Sequence, residues 1–201
     1  MIEIEKKFRL TDQQRESLVK DAEFVGEKTF TDTYYDTADY ILTTKDIWLR
    51  RREDAFELKV AVHFGYDRPA DQYDEITDEK AIREKLRIKA DTGDLAQDLA
   101  AQGIVPFVAC RTTRRKYRKD EFNIDLDLVR YQDDSTYTLA EIERMVTEQS
   151  EVPQAIEHIH ALAQSHGCTF EPVRGKVVEY LMHQQPDHFR ALITAGVIQD
   201  I

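Results

Sequence analysis

The sequence predicts an α+β fold with antiparallel strands, and two observations support this class. Stretches rich in β-branched and aromatic residues follow one another along the chain, with helical stretches between and after them. Several of those stretches also alternate strictly between apolar and charged residues, which is the period of a β-strand. The 201 residues are enough for one core, so we expect a single domain over residues 1–201.

In the N-terminal half, strands are expected where β-branched and aromatic residues concentrate, and helices after residues that cap them. In chain order this predicts a strand over 1–8, a helix over 13–22, strands over 28–35, 47–53, 56–64 and 71–76, and a helix over 79–86. Thr11-Asp12 and Thr77-Asp78 supply the helix caps. The strands at 47–53 and 56–64 are close enough to form a hairpin.

In the C-terminal half, long β-rich stretches are followed by helical ones that glycines end. In chain order this predicts a helix over 95–102, strands over 105–119, 122–131 and 136–147, and helices over 152–165, 176–183 and 186–194. Gly103 and Gly167 lie just after two of these helices.

Composition excludes several classes of function. The net charge of −11 argues against a general nucleic-acid-binding surface, so we expect no nucleic-acid partner. The absence of a secretory or membrane-length apolar run predicts a cytoplasmic protein with no membrane partner, and we expect a monomer. Cys110 and Cys168 lack metal-ligand spacing and are expected to be free thiols. None of the six histidines forms a metal motif.

The charged residues of five predicted strands share one face of each strand. These faces carry Glu3, Glu5 and Lys7; Trp48, Arg50 and Arg52; Glu57 and Lys59; Asn123, Asp125 and Asp127; and Glu141 and Glu143. An open sheet with one solvated face explains the alternation, but solvated faces usually avoid like charges side by side. A closed barrel with acids and bases turned inward explains it equally well, if metal ions and a polyanion balance the charges.

Several motifs resemble one known family. They are Glu3-x-Glu5-x-Lys7, the runs at 30–37 (FTDTYYDT), 48–54 (WLRRRED) and 57–59 (ELK), then Glu151-Val152-Pro153, Ile159-His160 and Lys176. Together they resemble the CYTH superfamily, the triphosphate tunnel metalloenzymes, and most closely its thiamine-triphosphatase members. The resemblance implies an eight-stranded antiparallel closed β-barrel, the triphosphate tunnel, with a polar interior and flanking helices.

The resemblance also implies a metal site on the acidic faces. Its ligands would be Glu3, Glu5, Asp125, Glu141 and Glu143. Their oxygens suit Mg²⁺, the cofactor that the family requires, and Mn²⁺ is chemically possible. Asp127, on the same face as Asp125, is expected either to support these ligands or to be a structural charge at the rim. Glu75 also matches a family acid, without a defined role.

A second set of residues is implied to bind phosphate. Its members are Lys7, Arg50, Arg52, Lys59, Arg111 and Lys176. Strand period puts Arg111 and Arg114 on opposite faces, and we expect Arg111 to be the phosphate ligand. The attacking water would be activated either by a second divalent ion or by Lys59, the candidate general base, with a pKa lowered among cations. Asn123 stands where the family has an arginine, and this loss of a positive charge either weakens binding of one phosphate or is compensated by a neighbour such as Arg115.

The predicted choice of substrate rests on two aromatic residues. Trp48 is the only tryptophan, and the resemblance places it, with Tyr34 nearby, beside the thiamine moiety, whose thiazolium cation suits an indole face. We therefore predict Mg²⁺-dependent hydrolysis of thiamine triphosphate, a small-molecule substrate, to thiamine diphosphate and phosphate. The alternatives are an inorganic tripolyphosphatase of the same fold and a non-catalytic module that binds polyphosphate or phosphorylated ligands.

Overall fold

The computed structural model describes residues 2–62, 65, 69–90 and 92–200. The strands in this part of the chain are β1 (Ile2–Phe8), β2 (Glu23–Asp36), β3 (Ile47–Arg52), β4 (Ala55–Ala61), β5 (Asp71–Ile76), β6 (Val105–Lys119), β7 (Phe122–Tyr131) and β8 (Thr136–Val146). The α-helices are α1 (Asp12–Val19), α2 (Glu79–Leu86), α3 (Leu95–Ala101), α4 (Val152–Ser165), α5 (Lys176–Gln184) and α6 (Pro186–Thr194). This confirms the α+β class.

The eight described strands pair in a closed ring in the order β1-β5-β4-β3-β2-β6-β7-β8. Every neighbouring pair is antiparallel, and β8 pairs with β1 from Val146 opposite Ile2 to Ala140 opposite Phe8. Closure gives each strand of the ring a partner on both sides, although only residues 32–35 of β2 pair with β3. It also divides the side chains of each strand into an outer and an inner set.

Strand β2 is longer than expected. We predicted it over 28–35, but it begins at Glu23 and pairs with β6 as far as Arg118, through an irregularity between Phe24 and Gly26. Its first residues are mostly exposed, so they carry no buried apolar face that sequence patterning can detect. The predicted strand at 56–64 ends at Ala61, and residues 63 and 64 lie outside the described part of the chain.

Apolar side chains cover the outside of the ring. Ile4 and Phe8 of β1 pack with Leu18 of α1 and Ile159 of α4. On the opposite side, a separate cluster joins the outer faces of β3 and β4 to α2 and α3. The polar faces are therefore turned inward, as the closed-barrel interpretation of the sequence requires.

Helices α5 and α6 close one end of the ring instead of covering its outer wall. Val108, Val129 and Leu139, which follow the inner face of their strands, pack against Leu181 of α5 and Leu192 of α6. The interior is thus apolar at this end and charged beyond it. No described helix has both the length and the apolar character that spanning a bilayer requires.

A buried hydrogen-bonded chain anchors α6 to the ring. The Thr43 hydroxyl lies 2.6 Å from Asp36 Oδ2 and 2.7 Å from His188 Nε2. If the hydroxyl donates to the carboxylate, the imidazole must donate from Nε2, which leaves Nδ1 unprotonated. Burial lowers the pKa of His188 to about 4, in agreement with this neutral form.

We predict that Thr43→Val lowers the free energy of unfolding by about 1–3 kcal/mol, because it leaves His188 Nε2 without its partner in a buried site. Urea denaturation measures the change. The matched control is Thr29→Val, whose exposed hydroxyl contacts only Thr113 Oγ1 at 3.0 Å, and which should stay within about 0.5 kcal/mol of the parent protein. Equal losses in the two variants would contradict the role of the Thr43 hydroxyl.

Candidate active site

The ring encloses a cavity of about 550 Å³. Its lining comes from the inner faces of the strands, from residues 172–178 at the start of α5 and from residues 197–199. Among the predicted site residues it contains Glu3, Glu5, Glu141 and Glu143, Lys7, Arg50, Arg52, Lys59 and Lys176, and Tyr34 and Trp48. The structure therefore brings nearly all of the predicted residues together around one space.

The acidic cluster consists of Glu3, Glu5, Asp125, Glu141 and Glu143, all buried. It forms because β1, β7 and β8 are neighbours, with Glu5 opposite Glu143 and Asp125 opposite Glu141. Carboxylate oxygens converge within 4.8 Å of one another in two overlapping groups. These groups are Glu3 with Glu5 and Glu143, and Asp125 with Glu141 and Glu143.

Burial, with repulsion between neighbouring carboxylates, raises the pKa of most of the acidic cluster. Burial, followed by the charges of Asp125 and Glu141, raises the pKa of Glu143 well above its usual range. Burial also raises the pKa of Glu3, Asp125 and Glu141. Asp125 Oδ1 has no hydrogen-bond partner among the described residues. Convergent oxygens, excess negative charge and an unpaired buried oxygen are the properties of a site that fits a divalent cation.

Two lysines neutralise part of the cluster. Lys59 is hydrogen-bonded to Glu3 and lies 3.6 Å from Glu5. Lys7 lies 2.5 Å from both Glu5 and Asp71. Although burial opposes it, the charges of Lys59 and Lys7 lower the pKa of Glu5. The acids and the bases of this site therefore already hold each other in place.

The predicted state of Lys59 is wrong. Burial disfavours its charge, but the carboxylates of Glu5 and Glu3 outweigh that effect, so its pKa is raised. The prediction had assumed cations around Lys59, whereas the ring closure brings it against the acids of β1, two strands away. Lys59 is therefore a positive charge while Glu3 and Glu5 are beside it.

Asp32 is a site residue that the sequence analysis missed. Its fully buried carboxylate accepts two hydrogen bonds from Arg52, at 2.8 and 3.1 Å, and one from Lys176 at 2.5 Å. Arg50 lies 3.8 Å away and also pairs with Glu57 at 2.5 Å. Asp32 thus orients the cations of β3 and α5 towards the cavity. Its alternation with Tyr34 on one strand was the signal that could have identified it.

The prediction that Arg111 is a phosphate ligand is not supported by its position. Arg111 is exposed on the outer face of β6 and does not line the cavity, whereas Arg114 does. Arg114 Nε and one Nη lie 2.7 Å from the two oxygens of Asp127, and the other Nη donates to Asp125. The period of two had separated these arginines correctly, but nothing in the isolated strand identified its inner face.

The structure also shows the surroundings of Asp127, Glu75 and Asn123. Asp127 holds Arg114 in a bidentate pair, so it supports a cation in addition to its acidic neighbours. Glu75 lines the cavity and lies 3.8 Å from Arg50. Asn123 also lines the cavity, opposite Glu143 in the β7–β8 register.

The expected compensation for Asn123 comes from another residue. Arg115 lies on the outside of the ring, where it stacks over Phe24 at 5.5 Å. Lys116 lines the cavity instead, 3.5 Å from Asp125 and 3.7 Å from Glu143. The positive charge at this end of the cavity is therefore supplied by the neighbouring strand β6.

The two predicted aromatic residues lie together at the cavity wall. Tyr34 is buried and its ring centroid is 6.5 Å from that of Phe107. Trp48 lies on β3, and its indole Nε1 donates to Asp46 Oδ1 at 2.8 Å. Both belong to the apolar group that α5 and α6 complete. The cavity therefore has a charged part and an aromatic part.

Known proteins resemble this chain in sequence and in fold. The family described as CYTH domain matches residues 1–168. The Homo sapiens protein thiamine-triphosphatase is 32% identical over 212 residues, covering 96% of this chain and 90% of that protein. Thiamine-triphosphatase of Macaca fascicularis is also 32% identical, with the same coverage.

Solved structures support the fold alone. PH1819 protein from Pyrococcus horikoshii OT3 superposes with a TM-score of 0.62 at 21% identity, covering 91% of this chain and 99% of that chain. HpAC1 from Hippeastrum, described as having a dominant triphosphatase activity, superposes with a TM-score of 0.58 at 17% identity, covering 92% and 97%.

We predict opposite effects of Glu143→Gln with and without a divalent cation. Without one, the variant should be more stable than the parent protein at pH 7 by about 1 kcal/mol, because it removes a repelling charge. A raised carboxyl pKa in the folded protein costs stability as the pH rises above the unfolded value, so this gain should vanish near pH 4. Denaturation in EDTA at both pH values measures it.

With excess Mg²⁺ the order should reverse. The parent protein should gain stability with ligand concentration, and the variant should gain little, because it lacks a carboxylate shared by both oxygen groups. Glu157→Gln, on the exposed face of α4, is the matched control and should respond to Mg²⁺ like the parent. A Glu143→Gln protein stabilised by Mg²⁺ as strongly as the parent would contradict the cation site.

Proposed function

The chain belongs to the CYTH domain family, and from that premise we propose that it hydrolyses thiamine triphosphate to thiamine diphosphate and phosphate. The observation that carries the proposal is the pairing of two opposite sets of charges with an aromatic wall around one cavity. A triphosphate bound with a divalent cation supplies the complementary charges. A cationic organic group suits the Trp48 end.

The basic set of the cavity is the proposed phosphate clamp. Its members are Lys7, Arg50, Arg52, Lys59, Arg114 and Lys176. Guanidinium groups can bind phosphate oxygens in a bidentate manner, whereas the lysines act as point charges. The set lines one cavity, so its members can neutralise several phosphate oxygens at once. Fixed positive charges around the terminal phosphate stabilise the charge that develops as the bond to it breaks.

The acidic cluster is the proposed cation site, and Mg²⁺ is the ion we expect there. When bound, this ion would neutralise phosphate oxygens and polarise the phosphorus–oxygen bond. The shared Glu143 and the unpaired Asp125 oxygen support this assignment. Departure of Glu3 and Glu5 from Lys59 and Lys7 towards the ion would free the two amines for the phosphates.

The reaction itself transfers the terminal phosphoryl group to water. The water oxygen forms a bond to the terminal phosphorus while the bridging oxygen leaves with the electron pair, and the protons of the water pass to phosphate oxygens and to solvent, which gives thiamine diphosphate and phosphate. Such transfers depend mainly on positioning and on charge stabilisation. Lys59, as a cation beside the phosphates, contributes through its field and through a hydrogen bond to phosphate.

A phosphate-release assay with Mg²⁺ tests the proposed substrate. We predict a higher kcat/KM for thiamine triphosphate than for tripolyphosphate, ATP or pyrophosphate, because only the first combines a triphosphate with a thiazolium cation. Trp48→Ala should lower kcat/KM for thiamine triphosphate by about 2- to 30-fold and leave that for tripolyphosphate nearly unchanged. A parent protein that prefers tripolyphosphate would overturn the assignment in favour of an inorganic tripolyphosphatase.

Arg111 and Arg114 of β6 give a second test, in which one residue is the control for the other. We predict that Arg114→Lys lowers kcat/KM by at least about 10²-fold, because an ammonium cannot reproduce the guanidinium contacts. Arg111→Lys, three residues away on the outer face, should stay within about twofold of the parent. Thermal denaturation shows that both variants fold. Equal activities of the two variants would contradict the inward role of Arg114.

A further inference from the structure

The residue of interest is Asp46, a buried carboxylate immediately before β3. It ends the 3₁₀ turn at Thr43–Lys45 in a left-handed conformation, with φ 56° and ψ 40°. Aspartate is one of the few residues other than glycine that adopt this conformation readily. Its backbone N–H donates to the Thr43 carbonyl oxygen at 3.0 Å, and its side chain is fully buried. The backbone therefore fixes where the carboxylate points.

One oxygen of Asp46 holds two aromatic side chains from different strands. Trp48 Nε1 donates to Oδ1 at 2.8 Å, and the Tyr73 hydroxyl donates to the same atom at 3.0 Å. Trp48 lies on β3 and Tyr73 on β5, with β4 between them. Hydrogen bonds to a charged acceptor are stronger than those between neutral groups. The carboxylate thus joins two aromatic rings across three strands.

These three residues lie next to the phosphate-binding part of the cavity. Trp48 is opposite Lys59 in the β3–β4 register and two residues before Arg50 on the same face. The Lys59 ammonium is 5.8 Å from the centroid of the Tyr73 ring. All three residues line the cavity. A ligand whose phosphates contact Lys59 and Arg50 would therefore extend its remaining part along Trp48.

We propose, resting on the proposed function, that Asp46 is the positioning residue that makes this cavity selective for a triphosphate carrying a cationic organic group. It acts through Trp48 in two ways. It holds the indole by its N–H edge, so the ring does not need to be ordered when the ligand binds. It also places a fixed negative charge beside the ring, which strengthens attraction of a cation and does nothing favourable for bare tripolyphosphate.

The test uses substitutions that separate the two effects. Asp46→Asn keeps an acceptor oxygen and removes the charge, and Asp46→Ala removes both. Both should lower kcat/KM for thiamine triphosphate, Ala by about 2- to 30-fold and Asn by less, with tripolyphosphate changed by less than about twofold. Asp98→Asn is the matched control, because this buried carboxylate pairs with Arg83 outside the ring, and it should leave both values unchanged.

A double-mutant cycle tests whether the effect passes through the indole. In a Trp48→Phe background, which has no N–H to hold, Asp46→Ala should lower kcat/KM for thiamine triphosphate no more than Asp46→Asn does, because only the charge is left to remove. A loss in Asp46→Ala that still exceeds the loss in Asp46→Asn in this background would mean that the holding effect does not pass through Trp48 and would overturn the proposal. So would equal losses on thiamine triphosphate and tripolyphosphate in the single variants.

Fluorescence gives a readout that does not depend on activity. Because Trp48 is the only tryptophan, the indole emission of the protein reports this residue alone. Asp46→Ala should lower the emission anisotropy and increase quenching by acrylamide, and Asp98→Asn should change neither. An unchanged Trp48 signal in Asp46→Ala would overturn the proposal, and Asp46→Gly, which suits the left-handed backbone and also lacks the acceptor, supplies the same comparison if the alanine variant does not fold. A parent protein without preference for thiamine triphosphate would refute the proposed function, and the fluorescence would still show whether Asp46 holds the indole.

Discussion

The balance of charge inside a closed ring is the constraint on which the rest of this structure depends. Turning the polar faces of eight strands inward places carboxylates and cations where water screens them weakly. Each buried charge must then meet an opposite one. The structure satisfies this by direct pairs, such as Lys7 with Glu5 and Arg114 with Asp127, and leaves excess negative charge in the acidic cluster, most of all at Glu143.

The strand order distributes these charges unevenly. Strands β1, β7 and β8 are neighbours and carry the acidic cluster, whereas β3 and the start of α5 contribute cations that Asp32 gathers. Helices α5 and α6 fill one end with apolar side chains, so the charged part and the aromatic part meet at Trp48. The same closure that isolates the charges also sets the distance between a bound cation and the organic end of a ligand.

The local sequence pattern was sufficient to predict most of the helices and strands. It also predicted which residues share a face of a strand, because these recur with a period of two. It was insufficient where the answer depended on a distant strand. Arg111 and Arg114 were correctly placed on opposite faces, yet only the ring shows which face is inside. The pKa of Lys59 was predicted to be lowered by neighbouring cations. Closure of the sheet instead brings Glu5 and Glu3 next to Lys59, and their charges outweigh burial and raise its pKa.

The ion pairs between the lysines and the glutamates of the cavity determine which ligands can bind there. An anion that drew Lys7 and Lys59 away would leave Glu3 and Glu5 buried without counter-ions. A cation that drew the two glutamates away would likewise leave the two lysines buried without counter-ions. Arrival of both charges together replaces each internal pair by a new one, so neither set is left unbalanced. A triphosphate complexed with a divalent ion meets this condition. A free polyanion does not, and a free metal can occupy only the less neutralised part of the cluster around Glu143. We therefore infer that the cavity binds the metal–triphosphate complex more tightly than either of its components.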